Sequence, residues 1–163
     1  MLIAICSDTH DNELNIATFL KYCIDHSVDV IFHCGDWTKP EMMRLYRKTF
    51  AGDIYGVIGN AQIKPAEMVA EAEKYNIDLE NLEKTLEIDG IIMGLAHKPQ
   101  EARQLARKSK HDMIFYGHTH KPWQETYEDT ILINPGTLAG MFTPATFALY
   151  DTQKRKLLLQ SLN

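Results

Sequence analysis

The stretch Leu2-Ile3-Ala4-Ile5-Cys6-Ser7-Asp8-Thr9-His10-Asp11-Asn12 changes character halfway along. Its first five residues are apolar without alternation, the mark of a short strand buried on both faces. The six that follow are polar and include Asp8 and His10, two metal-ligating types two positions apart. In an extended segment that spacing projects both side chains to one side. Asp11 and Asn12 can cap a helix whose apolar residues Ile16, Phe19, Leu20, Cys23 and Ile24 follow the i, i+3, i+4, i+7, i+8 rhythm. Buried strand, polar turn and amphipathic helix in succession begin a βαβ unit.

Working outward, the same succession recurs. Residues 28–34 read as a second strand, leading into Gly35-Asp36. Thr38-Lys39-Pro40-Glu41 has the form of a capping box, opening a helix that packs Met42, Leu45, Tyr46 and Phe50. Residues 54–58 form a third strand ending in Gly59-Asn60, and Pro65 starts a helix with Met68, Val69 and Ala72 on one face. The second half changes style. Residues 82–88 and 91–96 flank Asp89-Gly90, a strong hairpin signal. Residues 99–109 are expected to be helical, with Ala102, Leu105 and Ala106 inward and Arg103, Arg107 and Lys108 outward. Residues 113–116 form a strand delivering Gly117-His118, and further strands are expected at 123–127, 130–133, 146–150 and 156–160. The fold class is α/β: a mixed or antiparallel sheet from the second half packs against the βαβ sheet of the first. Without a linker, repeat or low-complexity run, residues 1–163 are expected to form a single domain.

Composition narrows the partners. A hydrophobic fraction of 45% with 24% charged residues is that of a soluble globular protein, and no run approaches the ~18 apolar residues needed to span a membrane. The apolar amino terminus lacks a basic region and meets Asp8 at once, so it reads as a strand and not a signal peptide. A formal net charge of −5 argues against a nucleic-acid polymer as partner. Positive charge at a phosphate site would then have to come from bound metal. Cys6, Cys23 and Cys34 are odd in number, without CxxC spacing and set in apolar stretches. They read as buried free thiols in a reducing cytosol, and a cytoplasmic location is expected.

Asp8, His10, Asp36, Asn60, His97, His118 and His120 each fall at or just past the carboxyl end of an expected strand. Open α/β sheets bind ligands there. Singly, Asp8 could be a helix cap and His10 a surface residue. Jointly, two carboxylates, one amide and four imidazoles suit two divalent borderline metals: Mn foremost, with Ni, Fe, Co or Zn as alternatives. Two such ions can clamp an in-line displacement at phosphorus. Gly35, Gly59 and Gly117 let the chain turn sharply beside them. Other polar residues have plainer readings. His33 packs or supports a ligand, His26 meets a helix dipole, His111 is a loop residue, and the cluster from Arg103 to Lys110 is a solvated face. Asn12 caps a helix or faces substrate, and Asn134-Pro135-Gly136 buttresses the site.

The order Ser7-Asp8-Thr9-His10-Asp11-Asn12, His33-Cys34-Gly35-Asp36, Val57-Ile58-Gly59-Asn60, Gly117-His118-Thr119-His120-Lys121-Pro122 and Ile133-Asn134-Pro135-Gly136-Thr137 resembles the calcineurin-like metallophosphoesterases, in particular the small YfcE-type phosphodiesterases. The resemblance implies a two-sheet β-sandwich flanked by helices, with metals at one end. It implies that Asp8, His10, Asp36 and His120 hold one metal and Asp36, Asn60, His97 and His118 the other, with Asp36 bridging. Asp36, Asn60 and His97 are then the catalytic centre, and metal-bound hydroxide the nucleophile. Two departures stand out: Ala61-Gln62 where relatives often carry an acidic or other polar pair, and His97-Lys98-Pro99 where His-Gly-His is common. They bear on leaving-group protonation and on the pocket lining. The expected function is metal-dependent hydrolysis of small phosphodiesters, with a homodimer left open. The alternatives are a non-catalytic scaffold resembling the retromer coat subunit of this fold, and a phosphomonoesterase or nuclease on the same metals.

Overall fold

Alternation within the first strand, β1 (Leu2–Cys6), already divides the molecule into layers. Ala4 and Cys6 join a core with helical residues, whereas Ile3 and Ile5 join a core with a second sheet. A computed structural model describes residues 1–62 and 64–162. In it β1 is followed by α1 (Glu13–Asp25), β2 (Val30–His33), α2 (Met42–Thr49), β3 (Asp53–Val57), α3 (Pro65–Lys74) and β4 (Asp78–Glu80). Next come β5 (Glu83–Ile88), β6 (Ile91–Ala96), α4 (Pro99–Lys108), β7 (Met113–Phe115), β8 (Trp123–Tyr127), β9 (Thr130–Asn134), β10 (Thr146–Asp151) and β11 (Lys156–Ser161).

One sheet has the order β11-β10-β1-β2-β3-β4 and the other β5-β6-β7-β9-β8. Residues of α1, α2 and α3 pack on the outer face of the first sheet, where Phe19, Leu20, Met43 and Tyr46 meet Ile31, Phe147 and Leu149. Between the sheets Ile5, Phe32 and Val57 pack with Met93, Leu95 and Phe115. Ala102 and Leu105 of α4 cover Ile114 and Leu132 on the outer face of the second sheet. The architecture is therefore mixed α/β, two sheets flanked by helices, as expected. No helix among the described residues is long and apolar enough to cross a membrane.

Strands β1, β2, β3 and β4 pair in parallel, as do β6, β7 and β9. The Asp89-Gly90 turn has φ of 52° and 72°, the paired left-handed residues of a tight hairpin turn between β5 and β6. Four details depart from the sequence reading. The last two strands leave the second half and complete the first sheet, β10 pairing antiparallel with β1 and β11 with β10. Burial explains this: Phe147 and Leu149 face the helices while Ala148 and Tyr150 face the other sheet, so β10 needs cover on both sides. Strand β4 carries no sequence signal, because Leu79 is the lone apolar residue of its three. The capping box at Thr38 does not form: Thr38 takes φ of 74°, its hydroxyl is buried without a partner, and α2 starts at Met42 without a side-chain cap. Ile24 is 51% exposed and contributes little to the α1 face.

All three cysteines are free and buried. Burial pushes the Cys23 thiol up to about 12 and holds Cys6 and Cys34 well above the ordinary thiol range. They are packing residues and not nucleophiles.

Candidate metal centre

The carboxyl ends of β1, β2, β3, β6 and β7 lead directly into Asp8, Asp36, Asn60, His97 and His118. Parallel pairing sends the strands of each sheet toward the same end of the sandwich, so the loops meet there. Contacts across the gap establish this. The His118 backbone N–H donates to Asp8 Oδ2 at 2.9 Å, and His97 Nε2 lies 3.3 Å from Asp36 Oδ1.

Two groups of potential ligand atoms form, one from Asp8, His10 and His120 and one from Asp8, Asp36 and His97. In the first, His120 Nε2 is 3.2 Å from Asp8 Oδ1 and 3.3 Å from His10 Nε2. In the second, the two oxygens of Asp36 face opposite ways. Oδ2 looks toward His10 Nε2 at 3.8 Å, and Oδ1 toward His97. The His118 ring lies 5.2 Å from the His97 ring, centroid to centroid. Asn60 is exposed beside them, its backbone N–H donating to Asp36 Oδ1 at 2.8 Å.

His97 shows how the cluster suits a cation. Its Nδ1–H donates to the Cys34 carbonyl at 2.8 Å, which leaves Nε2 as a lone pair when the ring is neutral. That Nε2 is buried without a hydrogen-bond partner and points at a carboxylate oxygen, another acceptor. Either a proton on Nε2 or a metal ion held between the two atoms relieves that opposition. Burial opposes protonation of His97, yet the Asp36 carboxylate beside it raises its pKa on balance. Burial likewise works against charge on Asp36, but His97 and the backbone N–H groups of Ala61 and Asn60 hold its carboxyl well below the usual carboxylate range. Burial and the neighbouring His97 together lower His118. A set of oxygen and imidazole donors with converging lone pairs fits divalent ions of the Mn-to-Zn series.

The backbone reaches this arrangement by an unexpected route. Asp8, His10, Asp36, His118 and His120 all lie in the left-handed region, with φ between 41° and 70°. The Asp8-x-His10 and His118-x-His120 segments are therefore not extended, and their side chains converge by tight turning. Asp and His tolerate this conformation better than most residues, though each such position still costs on the order of 1 kcal/mol or more. The turns also free main-chain N–H groups to bind carboxylates. Ala61 contributes in this way, its N–H lying 2.8 Å from Asp36 Oδ1. Gly59 (φ 97°) and Gly117 sit so close to Asp36 and Asp8 that an added Cβ would strike the carboxylate oxygens, at 2.5 Å in each case.

Supporting contacts include several that side-chain spacing did not announce. The Thr137 hydroxyl donates to the Asp8 carbonyl at 2.8 Å, and the Thr9 hydroxyl to the Asp36 carbonyl at 3.3 Å. Ser7 Oγ is buried without a partner beside Gly117. All three belong to the quoted motifs, but only their neighbours stood out as ligands. Asn134 Nδ2 donates to the Gly117 carbonyl at 2.8 Å, so the Asn134-Pro135-Gly136 turn buttresses the histidine loop. His33 stacks on Trp37, accepts from the Gly35 N–H and contacts Thr9 Oγ1. Burial keeps it neutral, a support for the loop and not a ligand. Asn12 caps α1 and binds the Ala139 carbonyl. His26 stacks on Tyr22, while His111 lies in the loop between α4 and β7, as expected, and is buried against Thr85.

Residues 1–155 match the model of the calcineurin-like phosphoesterase superfamily domain. The chain is 31% identical over 161 residues to phosphodiesterase MJ0936 of Methanocaldococcus jannaschii, covering 96% of each. Its structure resembles that of an archaeal phosphodiesterase with a TM-score of 0.88 at 28% identity, over 99% of both chains. The phosphoesterase YfcE of E. coli superposes with a TM-score of 0.71 over the whole of both chains; at 15% identity it supports the fold alone. The chain belongs to the calcineurin-like phosphoesterase superfamily.

Proposed function

We propose that this calcineurin-like phosphoesterase hydrolyses small phosphodiesters with two divalent ions held at the end of its sandwich. Asp8, His10, Asp36 and His120 would hold one ion, and Asp36, Asn60, His97 and His118 the other. The observation that carries this reading is the buried, unpartnered Nε2 of His97 facing the Asp36 carboxylate. Divalent ions there would polarise the phosphoryl oxygens and lower the pKa of water.

The chain's own residues have distinct tasks. Asp36 presents one oxygen to each side, and the N–H groups of Asn60 and Ala61 fix its orientation. Asp8 is fixed from the opposite sheet by the His118 N–H. Asn60 and His118 are exposed, so ester can approach from solvent on their side. Ala61 brings no side-chain acid, so good leaving groups should react fastest. The phosphodiesterase name of a full-length relative favours diesters over monoesters. Manganese is the first metal to test.

A second reading, a non-catalytic scaffold, has one observation in its favour. Trp123, Leu158 and Leu159 are exposed at the open edges β8 and β11. The two readings part in one experiment: metal analysis of the purified protein, then turnover of an aryl phosphodiester and an aryl phosphomonoester with each candidate metal. About two ions per chain, diester turnover abolished by chelator, and an unchanged circular dichroism spectrum are expected. Turnover undiminished in metal-free protein would overturn the proposal, and no turnover with any metal would favour the scaffold.

A further inference from the structure

The loop between β9 and β10 is tied to both halves of the ligand cluster. The Ala139 N–H donates to the Asp8 carbonyl at 3.0 Å, and the Thr143 hydroxyl donates to the His120 carbonyl at 3.1 Å. Asn12 and Asn15 hold the same loop from the start of α1 through the Ala139 and Leu138 carbonyls. Between these anchors stand Met141, 57% exposed, and Phe142, 90% exposed and barer than any other large apolar side chain described. The ring of Phe142 adds nothing to the core, yet Thr143, one residue on, touches the backbone of a ligand residue. Consecutive Cα atoms are about 3.8 Å apart, so the Phe142 backbone lies one residue from the contact with the His120 carbonyl. A loop anchored at Ala139 and Thr143 that carries a bare aromatic ring close in sequence to contacts with candidate ligands has the parts of a stacking platform.

We infer that Phe142 is a specificity residue that stacks on a planar aromatic substituent of the phosphodiester, a nucleobase or an aryl group, with Met141 extending the apolar contact. The inference rests on the phosphodiesterase reading above. The ligand cluster would take the phosphoryl group, and Met141 and Phe142 offer the remainder of the substrate an uncharged contact. An exposed ring supplies that contact without regard to hydrogen-bonding pattern, so different aromatic groups are accepted and alkyl groups gain little.

The test compares wild type, Phe142→Ala and Phe142→Tyr on a bis-aryl phosphodiester and on a glycerophosphodiester, whose substituents are aliphatic. Phe142→Ala should raise KM for the aryl ester about three- to tenfold, the range of one aromatic contact, with kcat nearly constant. KM for the aliphatic ester should not move, and Phe142→Tyr should behave as wild type. Removing a ring 90% exposed leaves the core intact, which circular dichroism checks. A second readout needs no turnover: Phe142→Trp emission should be quenched by adenosine monophosphate and not by ribose phosphate. Equal KM shifts for both esters, or none, together with unquenched emission, would overturn the inference while leaving the hydrolase reading intact. Quenching in a protein that turns over no ester would uphold the platform and sink the phosphodiesterase.

Discussion

The two sheets bring different chemistry to the same place. The first contributes Asp8, His10, Asp36 and Asn60, which include every oxygen donor in the candidate set. The second contributes His97, His118 and His120, imidazoles only. The carboxylates are buried and clamped by main-chain N–H groups, whereas the imidazoles run from buried His97 through half-buried His120 to exposed His118. The difference teaches a division of labour. Negative charge is fixed in the interior, where weak screening makes it most effective, and graded imidazoles complete it toward solvent. The carboxylate side should decide whether cations bind at all, and the imidazole side how many remain.

Three substitutions can break or sharpen that contrast. The largest effect is expected from Asp36→Asn, which keeps the shape but removes the charge facing both ligand groups. Metal content should fall at both positions, and turnover by more than about 10²-fold, since even residues that merely support a ligand cost 10- to 100-fold. Elemental analysis with activity decides it; two ions retained at full activity would end the bridging assignment. His118→Ala acts on the exposed side and should spare the position formed by Asp8, His10 and His120. About one ion should remain, with turnover lowered about 10- to 100-fold. Loss of both ions would mean the two sides are not separable. The smallest effect belongs to Thr137→Val, which removes the hydroxyl donating to the Asp8 carbonyl. A lost hydrogen bond of about 1 kcal/mol should lower Tm by about 2–4 °C in a chain of this size. Metal affinity should change by less than the substitutions of ligands themselves; a thermal melt and a metal titration measure both.

What the sequence disclosed follows the range of the interaction. Helices such as α1 and the Asp89-Gly90 hairpin depend on neighbours a few residues apart, and both are legible. The family is legible too, because Asp8, His10, Asp36, Asn60, His118 and His120 stand in short, ordered motifs. The placement of β10 is not, since Tyr150 pairs with Ile3 at the opposite end of the chain and no local pattern encodes that partner. Thr38 misled for a related reason. Its spacing suits a helix cap, but its left-handed conformation precludes one. Main-chain donors are equally illegible in the sequence. The N–H groups of Asn60, Ala61 and His118 shape both carboxylates, and an N–H looks alike in every residue.

The pairing of β1 between β2 and β10 has a consequence for how the chain is made. Synthesis releases β1 long before β10, so an interior strand of the first sheet waits with one edge unpaired while the chain between them is translated. During that interval Ile3 and Ile5 belong to a strand whose free N–H and C=O groups can template another chain. A ribosome stalled before residue 146 would therefore display an aggregation-prone nascent chain even with every helix of the first half formed. Long-range closure of this kind also slows folding.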